Sequence, residues 1–344
     1  MPRSLLTFAS KEAVVARVFS GIKPSGDLQL GNYIGALQYF VADQDVHDCF
    51  FCVVDLHAIT VPQDPQELQA RTLQIAALYM AVGLDPAKAT LFVQSHVSEH
   101  AELAWVLGCY AMFGEMRRMT QFKDKAAKQQ DGAVSLGLFA YPALMAADIL
   151  LYDTDRVPVG DDQKQHLELT RDVAIRFNNR YGETFVVPEP AIPKQGARIM
   201  DLQEPSNKMS KSEDSPQGTI LLLDPPDVVR KKIKTAVTDS GREVLARADK
   251  PAISNLLTIF SAVTGTSVSD LEQTYEGKGY GDFKRELGDA LVAFLEPIQA
   301  RYASFVNDRS ELARVLESGA QKAESVAAKT LARAYERVGF LPRG

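Results

Sequence analysis

Short apolar runs alternate with long amphipathic stretches over the first half of this chain, and nothing else in the sequence limits the possible folds as much. Residues 14–20 are a β-branched run ended by Gly21, and residues 49–55 and 90–94 are two further apolar runs. Residues 31–40, 65–82 and 98–113, which follow them in turn, repeat apolar positions at helical spacing, with Pro65 and Ser98 as start signals. Strands alternating with helices of this length call for a parallel sheet covered on both faces. Such sheets bind ligands beyond the carboxyl ends of their strands, where the turn over residues 21–30 falls.

The alternation continues with a helix over residues 141–152 that carries Pro142 in its first turn, a short strand over 157–159, and a helix over 161–181 opened by Gly160. Residues 123–132 are polar, charged and Gly-terminated, which predicts a mobile loop. Beyond residue 205 the texture changes. Residues 225–237, 253–263, 280–305 and 320–338 read as helices with few strands between them, an all-helical module without repeats or low-complexity tracts.

Composition narrows the function classes. No apolar run reaches the roughly 20 residues a membrane helix needs. The net charge of -6 gives no global attraction to nucleic acid, so any such surface must be a local basic patch. Three cysteines, Cys49, Cys52 and Cys109, cannot make a disulfide framework, which fits a reducing cytoplasm. The Cys49-x-x-Cys52 pair sits in an apolar run without a second pair or a nearby His, and reads as strand packing with no metal. Residues 1–16 have no apolar signal core and read as an N-terminal extension.

Three stretches carry candidate chemistry. Lys208 and Lys211 lie among Met209, Ser210 and Ser212, in a segment bounded by Pro205 and by turn residues 214–218. Lysines act as mobile point charges on phosphate oxygens, and backbone N–H groups with Ser hydroxyls complete an anion cradle. Met alone, such a loop is more often a solvated surface. Upstream, Gly21-Ile22-Lys23-Pro24-Ser25-Gly26 followed by Gln29-Leu30-Gly31-Asn32 joins a Gly-rich turn to a helix N-terminus, where phosphates meet free N–H groups and the positive end of the helix dipole. Gly160-Asp161-Asp162-Gln163, directly after a strand, sets a carboxylate and an amide at the mouth of the next helix.

Together these stretches resemble the class I aminoacyl-tRNA synthetases. Gly21 to Gly35 looks like their ATP-site signature, and Lys208-Met209-Ser210-Lys211-Ser212 matches their KMSKS signature without a mismatch. Asp55-Leu56-His57-Ala58-Ile59-Thr60, Met119-Thr120-Gln121-Phe122-Lys123, Met145-Ala146-Ala147-Asp148 and Gly160 to His166 are similar to the bacterial tryptophanyl-tRNA synthetases, over residue 18 to the C-terminus. The resemblance implies an α/β fold: a Rossmann-like doubly wound parallel sheet with a second, all-helical C-terminal domain. The implied divisions are the extension 1–16, a catalytic domain over 17–205 for ATP and tryptophan, the KMSKS loop 206–214, and a helical domain 215–344 on the anticodon side, with its last helices packing back. The implied activity is formation of tryptophanyl adenylate from L-tryptophan and ATP, then transfer to the 2′-hydroxyl of the terminal adenosine of tRNA(Trp).

Tyr141, Met145 and Asp148 fall at i, i+4 and i+7, on one helix face. An aromatic ring, a thioether and a carboxylate suit an indole whose N–H needs an acceptor. Spacing alone fits more simply a core-facing Tyr and Met with Asp148 as a structural acceptor. The resemblance implies that Asp148 accepts the indole N–H, that Tyr141 and Gln163 contact the substrate amine, and that His57, Phe19, Met145, Val159 and Gln121 complete the tryptophan site. On the ATP side it implies Lys23, Pro24, Ser25, Gly31 and Asn32, then Gly160, Asp161 and Asp162 at the adenosine with Asp162 on ribose, Ile199 and Met209 at adenine, and Lys208, Ser210, Lys211 and Ser212 in the loop. Lys208, Lys211, Asn32, Gln29 and Lys125 are the implied catalytic set, although Lys125 fits a solvated loop lysine equally well. Mg²⁺ is expected to travel on the phosphates of ATP, with no protein ligand named.

Two positions depart from the family pattern: Lys23 stands where Gln is usual, and Gln29 where His or Thr is usual. The Gln29 amide still offers a donor. Arg230-Lys231-Lys232-Ile233-Lys234 is the densest basic cluster; it reads as a solvated helix face or as a contact to tRNA. The resemblance also implies a homodimer in the cytoplasm, with the Trp105 helix either at its interface or in the core. His47, His96, His100 and His166 show no mutual metal spacing and read as packing or surface residues. A tyrosine-specific enzyme of the same class and an amino-acid sensor without transfer activity are the competing readings.

Overall fold

A computed structural model describes residues 15–127, 134–160, 163–191, 198–209 and 216–342, with the backbone alone at 125–127. Nearly all of the expected extension therefore lies outside the described residues. Five strands, β1 (Arg17–Ile22), β2 (Asp48–Val53), β3 (Thr90–Val93), β4 (Arg156–Pro158) and β5 (Glu189–Ala191), form one sheet in the order β3-β2-β1-β4-β5. Every pair is parallel, with Phe19 opposite Phe50, Phe51 opposite Leu91, and Val18 opposite Arg156. The chain runs outward from β1 to β3, then resumes on the other side of β1 at β4. The switch point between β1 and β4 is where a crevice opens beyond the strand ends.

The period-two alternation of strands sorts the core into two layers. Cys49, Phe51 and Val53 of β2 join the layer built by Leu30, Ile34, Leu37 and the helix Pro65–Ala81, while Phe50 and Cys52 join the layer under the helices Leu136–Leu150 and Lys164–Tyr181. The two strand cysteines therefore face opposite sides of the sheet, so their thiols point apart. From Pro226 onward the described elements are helices, and the first layer continues without a break into Ile253, Phe283 and Leu291.

The last helix, Arg309–Val338, returns to the sheet and covers the β3 edge, with Ala320, Ala323 and Ala327 joining the second layer. Its Gly319 lies so close to the Leu91 carbonyl that any Cβ there would collide with it. A small-residue stripe lets helix and strand backbones approach, and the covered edge cannot pair with another chain.

Several elements differ from the sequence reading. The helix expected at 141 begins at Leu136, where Ser135 caps it by accepting the N–H of Leu138, so Pro142 lies inside the helix rather than in its first turn. Thr120–Ala127 is helical although a loop was expected from 123; the remainder of that loop, residues 128–132, lies outside the described residues. β5 was not anticipated because Pro190 interrupts its pattern, which an edge strand tolerates.

Candidate active site

A cavity of about 520 Å³ opens at the switch point. Phe19 to Lys23 at the end of β1 and Val157 to Val159 at the end of β4 form its floor, and the helix Leu136–Leu150 presents Tyr141, Met145 and Asp148 along one side. The helical spacing of those three residues is thus realised as one wall. His57 follows β2 on the turn Asp55–Ala58, Gln121 comes from Thr120–Ala127, and Gln163 stands at the mouth of Lys164–Tyr181.

Asp148 is 2% exposed yet fully partnered on its inner side. Oδ1 accepts a hydrogen bond from Gln94 Nε2 at 2.6 Å and lies 2.6 Å from His100 Nδ1, while Oδ2 lies 2.7 Å from His57 Nε2. Burial by itself pushes the carboxyl up, but the His57 imidazole and the hydrogen bonds from His100 and His57 outweigh it and hold Asp148 well below the usual carboxylate range. The partners are themselves fixed. Gln94 Oε1 accepts the Leu56 N–H at 3.1 Å, and His100 Nε2 lies 2.8 Å from the Tyr152 hydroxyl. Tyr152 stacks on Phe19 with ring centroids 5.4 Å apart. Tyr141 places its hydroxyl 2.7 Å from His166 Nε2, and burial pushes its phenol up to about 12.

Among the residues expected on the ATP side, Lys23 is half-buried, and desolvation lowers its pKa below the ordinary lysine value. Gly21 has no room for a side chain, since a Cβ would meet Val54 Cγ1 at 2.7 Å, and Gly26 turns the chain at φ 69°. Ser25 and Asn32 line the cavity, and Asn32 Oδ1 accepts the Gln29 N–H at 3.0 Å. Pro24, Gly31 and Gly160 do not line the cavity but are chain neighbours of Ser25, Asn32 and Val159, which do; the Gly160 carbonyl accepts the Gln163 N–H at 3.0 Å.

The expected residues therefore divide. Asp148, Tyr141, Gln163, His57, Met145, Phe19, Val159 and Gln121 surround one cavity together with Lys23, Ser25 and Asn32. Gln29 does not line it: it is 3% exposed, and its Nε2 donates to the Met209 carbonyl at 2.7 Å. Ile199 and Met209 are buried in the first apolar layer, and Lys208 is exposed outside the cavity wall. Asp161, Asp162, Ser210, Lys211, Ser212 and the Lys125 side chain lie outside the described residues.

Sequence reasoning missed Gln94 and took His100 and His166 for packing or surface residues; the structure sets His100 on Asp148 and His166 on Tyr141. The available signal was position: Gln94 follows β3 directly, at the carboxyl end where this fold gathers its ligands. The basic cluster on the helix Pro226–Thr235 is also divided. Lys232 is buried against Asp224 at 2.7 Å and Arg230 pairs with Asp289 at 2.8 Å, leaving Lys231 and Lys234 exposed.

The sequence profile of the class I tRNA synthetases of tryptophan and tyrosine (W and Y) matches residues 11–296, and the chain belongs to that family. Within it the chain is similar to bacterial tryptophan enzymes. It is 58% identical to the tryptophan–tRNA ligase of Caldanaerobacter subterraneus over 95% of this chain and 99% of that one, and 57% identical to that of Listeria monocytogenes over 94% and 97%. Among solved structures, the tryptophanyl-tRNA synthetase of Mycoplasma pneumoniae superposes with a TM-score of 0.88 at 39% identity, over 95% of this chain and 99% of that one. The Campylobacter jejuni enzyme complexed with ADP and tryptophan gives 0.82 at 36% identity, over 94% and 100%.

Proposed function

We infer that this chain activates L-tryptophan with ATP and transfers it to tRNA. The observation that carries the reading is the buried Asp148 at the wall of the cavity, its carboxyl held well below the usual carboxylate range by His57 and His100 and hydrogen-bonded by Gln94. An acceptor fixed in that way matches an indole N–H, and a site built around it disfavours a ligand that brings no donor there.

The substrate supplies its own nucleophile. A carboxylate oxygen of tryptophan attacks the α-phosphorus of ATP in line, the bond to the bridging oxygen breaks, and pyrophosphate leaves. The 2′-hydroxyl of the terminal adenosine then attacks the aminoacyl carbonyl, and AMP departs. The protein's part is positioning and charge stabilisation. Tyr141 and Gln163 orient the substrate amine, Lys23, Ser25 and Asn32 face the phosphates, and Lys208 with Lys211 balances the charge growing on pyrophosphate. Among the described residues no group of three His, Cys, Asp or Glu side chains is placed to hold a metal ion. Mg²⁺ would come bound to the triphosphate and screen its charge, and no protein ligand is assigned to it.

We place the reaction in the cytoplasm, where ATP and tRNA are available; among the described residues no single helix is long and apolar enough to cross a membrane. We also propose a homodimer. Trp105 is 76% exposed, Phe113 69% and Leu136 79%. Phe113 rests on Phe139 at 5.1 Å, and Ser135 donates to the Thr60 carbonyl at 3.1 Å beside the exposed Ile59. Ile59 adjoins the cavity rim at Thr60, and a second copy would cover these exposed apolar residues. The test of the function is charging of tRNA with radiolabelled tryptophan. Acid-precipitable label is expected on tRNA ending in adenosine and none on tRNA ending in 2′-deoxyadenosine; label on both would contradict the assigned acceptor.

A further inference from the structure

We propose that Asn255 is a positioning residue for tryptophan activation: it holds the backbone of Met200 and so sets where Lys208 stands beside the cavity. The inference rests on the reading of that cavity as a site for tryptophan and ATP, and it gives the helical half of the chain a part in the chemistry. Asn255 lies on the helix Pro251–Thr264 and is 5% exposed. Its Oδ1 accepts the Met200 N–H at 2.8 Å, and its Nδ2 donates to the Met200 carbonyl at 2.9 Å. One side chain thereby satisfies both backbone groups of a residue far away in sequence, as a neighbouring strand would.

Met200 is joined to Lys208 in turn. The two form an antiparallel bridge, the Met209 N–H donates to the Ile199 carbonyl at 3.0 Å, and the Asp201 N–H donates to the Asn207 carbonyl at 2.9 Å. Residues 199–209 are thus a closed hairpin with Lys208 opposite the residue that Asn255 holds. The other side of the hairpin is tied to the start of the signature helix, where Gln29 Nε2 donates to the Met209 carbonyl at 2.7 Å and the Gln29 N–H donates to Asn32, a residue of the cavity lining. Two buried amides, one from the helical half and one from the start of the signature helix, therefore grip adjacent points of the same hairpin. The remaining buried positions of the Asn255 helix are apolar: Ala252, Ile253, Leu256, Leu257, Ile259 and Phe260. Packing alone would be served by another apolar residue at 255. An amide whose donor and acceptor are both matched instead specifies one location for the chain it holds. Lys208 keeps an exposed side chain on a backbone fixed in that way, and a misplacement of about 1 Å at a charge-stabilising group costs about a hundredfold in rate.

The test is ATP–pyrophosphate exchange on the full chain for Asn255→Ala, Lys208→Ala and the double variant. Asn255→Ala is expected to leave the KM for tryptophan unchanged and to lower kcat roughly tenfold to a hundredfold. The double variant is expected to be no slower than Lys208→Ala alone, because the clamp acts through that lysine. Losses that multiply in the double variant, or an unchanged kcat with only a lower melting temperature, would overturn the proposal. If Asn255→Ala does not fold, Asn255→Ser, which keeps a polar group unable to span both Met200 atoms, carries the same comparison. Absence of tryptophan-dependent exchange in the wild type would overturn the reading of the cavity, and this proposal with it.

Discussion

His100 stands behind Asp148 with Nδ1 2.6 Å from the carboxylate, and its other ring nitrogen lies 2.8 Å from the Tyr152 hydroxyl. Both Asp148 and His100 are buried, so the carboxylate is oriented in a dry interior before any substrate arrives. Replacing His100 by Phe removes that partner. The tryptophan KM is expected to rise roughly tenfold to a hundredfold, the range for a hydrogen bond to a charged group. Stability at neutral pH should fall by about 3 kcal/mol in urea denaturation, because a buried charge loses its counterpart. Asp148 titrates lower in the folded chain than in the unfolded one, so its contribution is present above the unfolded carboxylate pKa and is lost as pH falls through the folded one. The difference between wild type and variant should therefore narrow on acidification. An unchanged KM would detach His100 from the substrate.

Lys23 carries a pH prediction of its own. Desolvation lowers its pKa, so its positive charge disappears at a pH below the ordinary lysine range. If that charge faces the phosphates, the KM for ATP in exchange assays should climb on the alkaline side in wild type. It should stay flat over the same range in Lys23→Arg, since a guanidinium does not deprotonate there.

The divided basic cluster separates a fold effect from a tRNA effect. Lys232→Met should destabilise the chain by about 3–5 kcal/mol, because Asp224 is left charged and buried without its partner. Lys231→Ala and Lys234→Ala should leave thermal unfolding unchanged. If these exposed lysines meet tRNA phosphates, each should reduce the slope of charging affinity against log salt by about 1, with no effect on ATP–pyrophosphate exchange. Equal salt responses in both assays would remove them from the tRNA surface.

Gly319→Ala tests the covered sheet edge. The added Cβ would strike the Leu91 carbonyl, and the helix must shift to admit it. Overpacking of this kind costs about 1–3 kcal/mol, seen as a lower Tm, while the tryptophan KM stays at the wild-type value.

Much of this was legible in the chain because its signals are local. The alternation of apolar runs and helical stretches anticipated β1 to β4, and the i, i+4, i+7 spacing placed Tyr141, Met145 and Asp148 on one helix face, but only the family resemblance turned that face toward a ligand rather than the core. The contacts that tune Asp148 were not legible, since Gln94 and His100 reach it across 54 and 48 residues and only the parallel sheet brings them together. The partner of Gln29, a residue expected as an amide donor in the catalytic set, was equally hidden: its amide reaches Met209, 180 residues on, through a hairpin that no periodicity announces. β5 was hidden by Pro190, whose missing N–H is harmless only because the strand is an edge.

The most direct measurement is ATP–pyrophosphate exchange by the purified chain with tryptophan, tyrosine and phenylalanine offered separately, beside Asp148→Asn. Exchange driven by tryptophan alone, with kcat/KM in the variant reduced at least about tenfold, is the predicted result. Exchange driven by tyrosine, or an Asp148→Asn variant as active as wild type, would contradict the assignment of Asp148 as the acceptor for the indole.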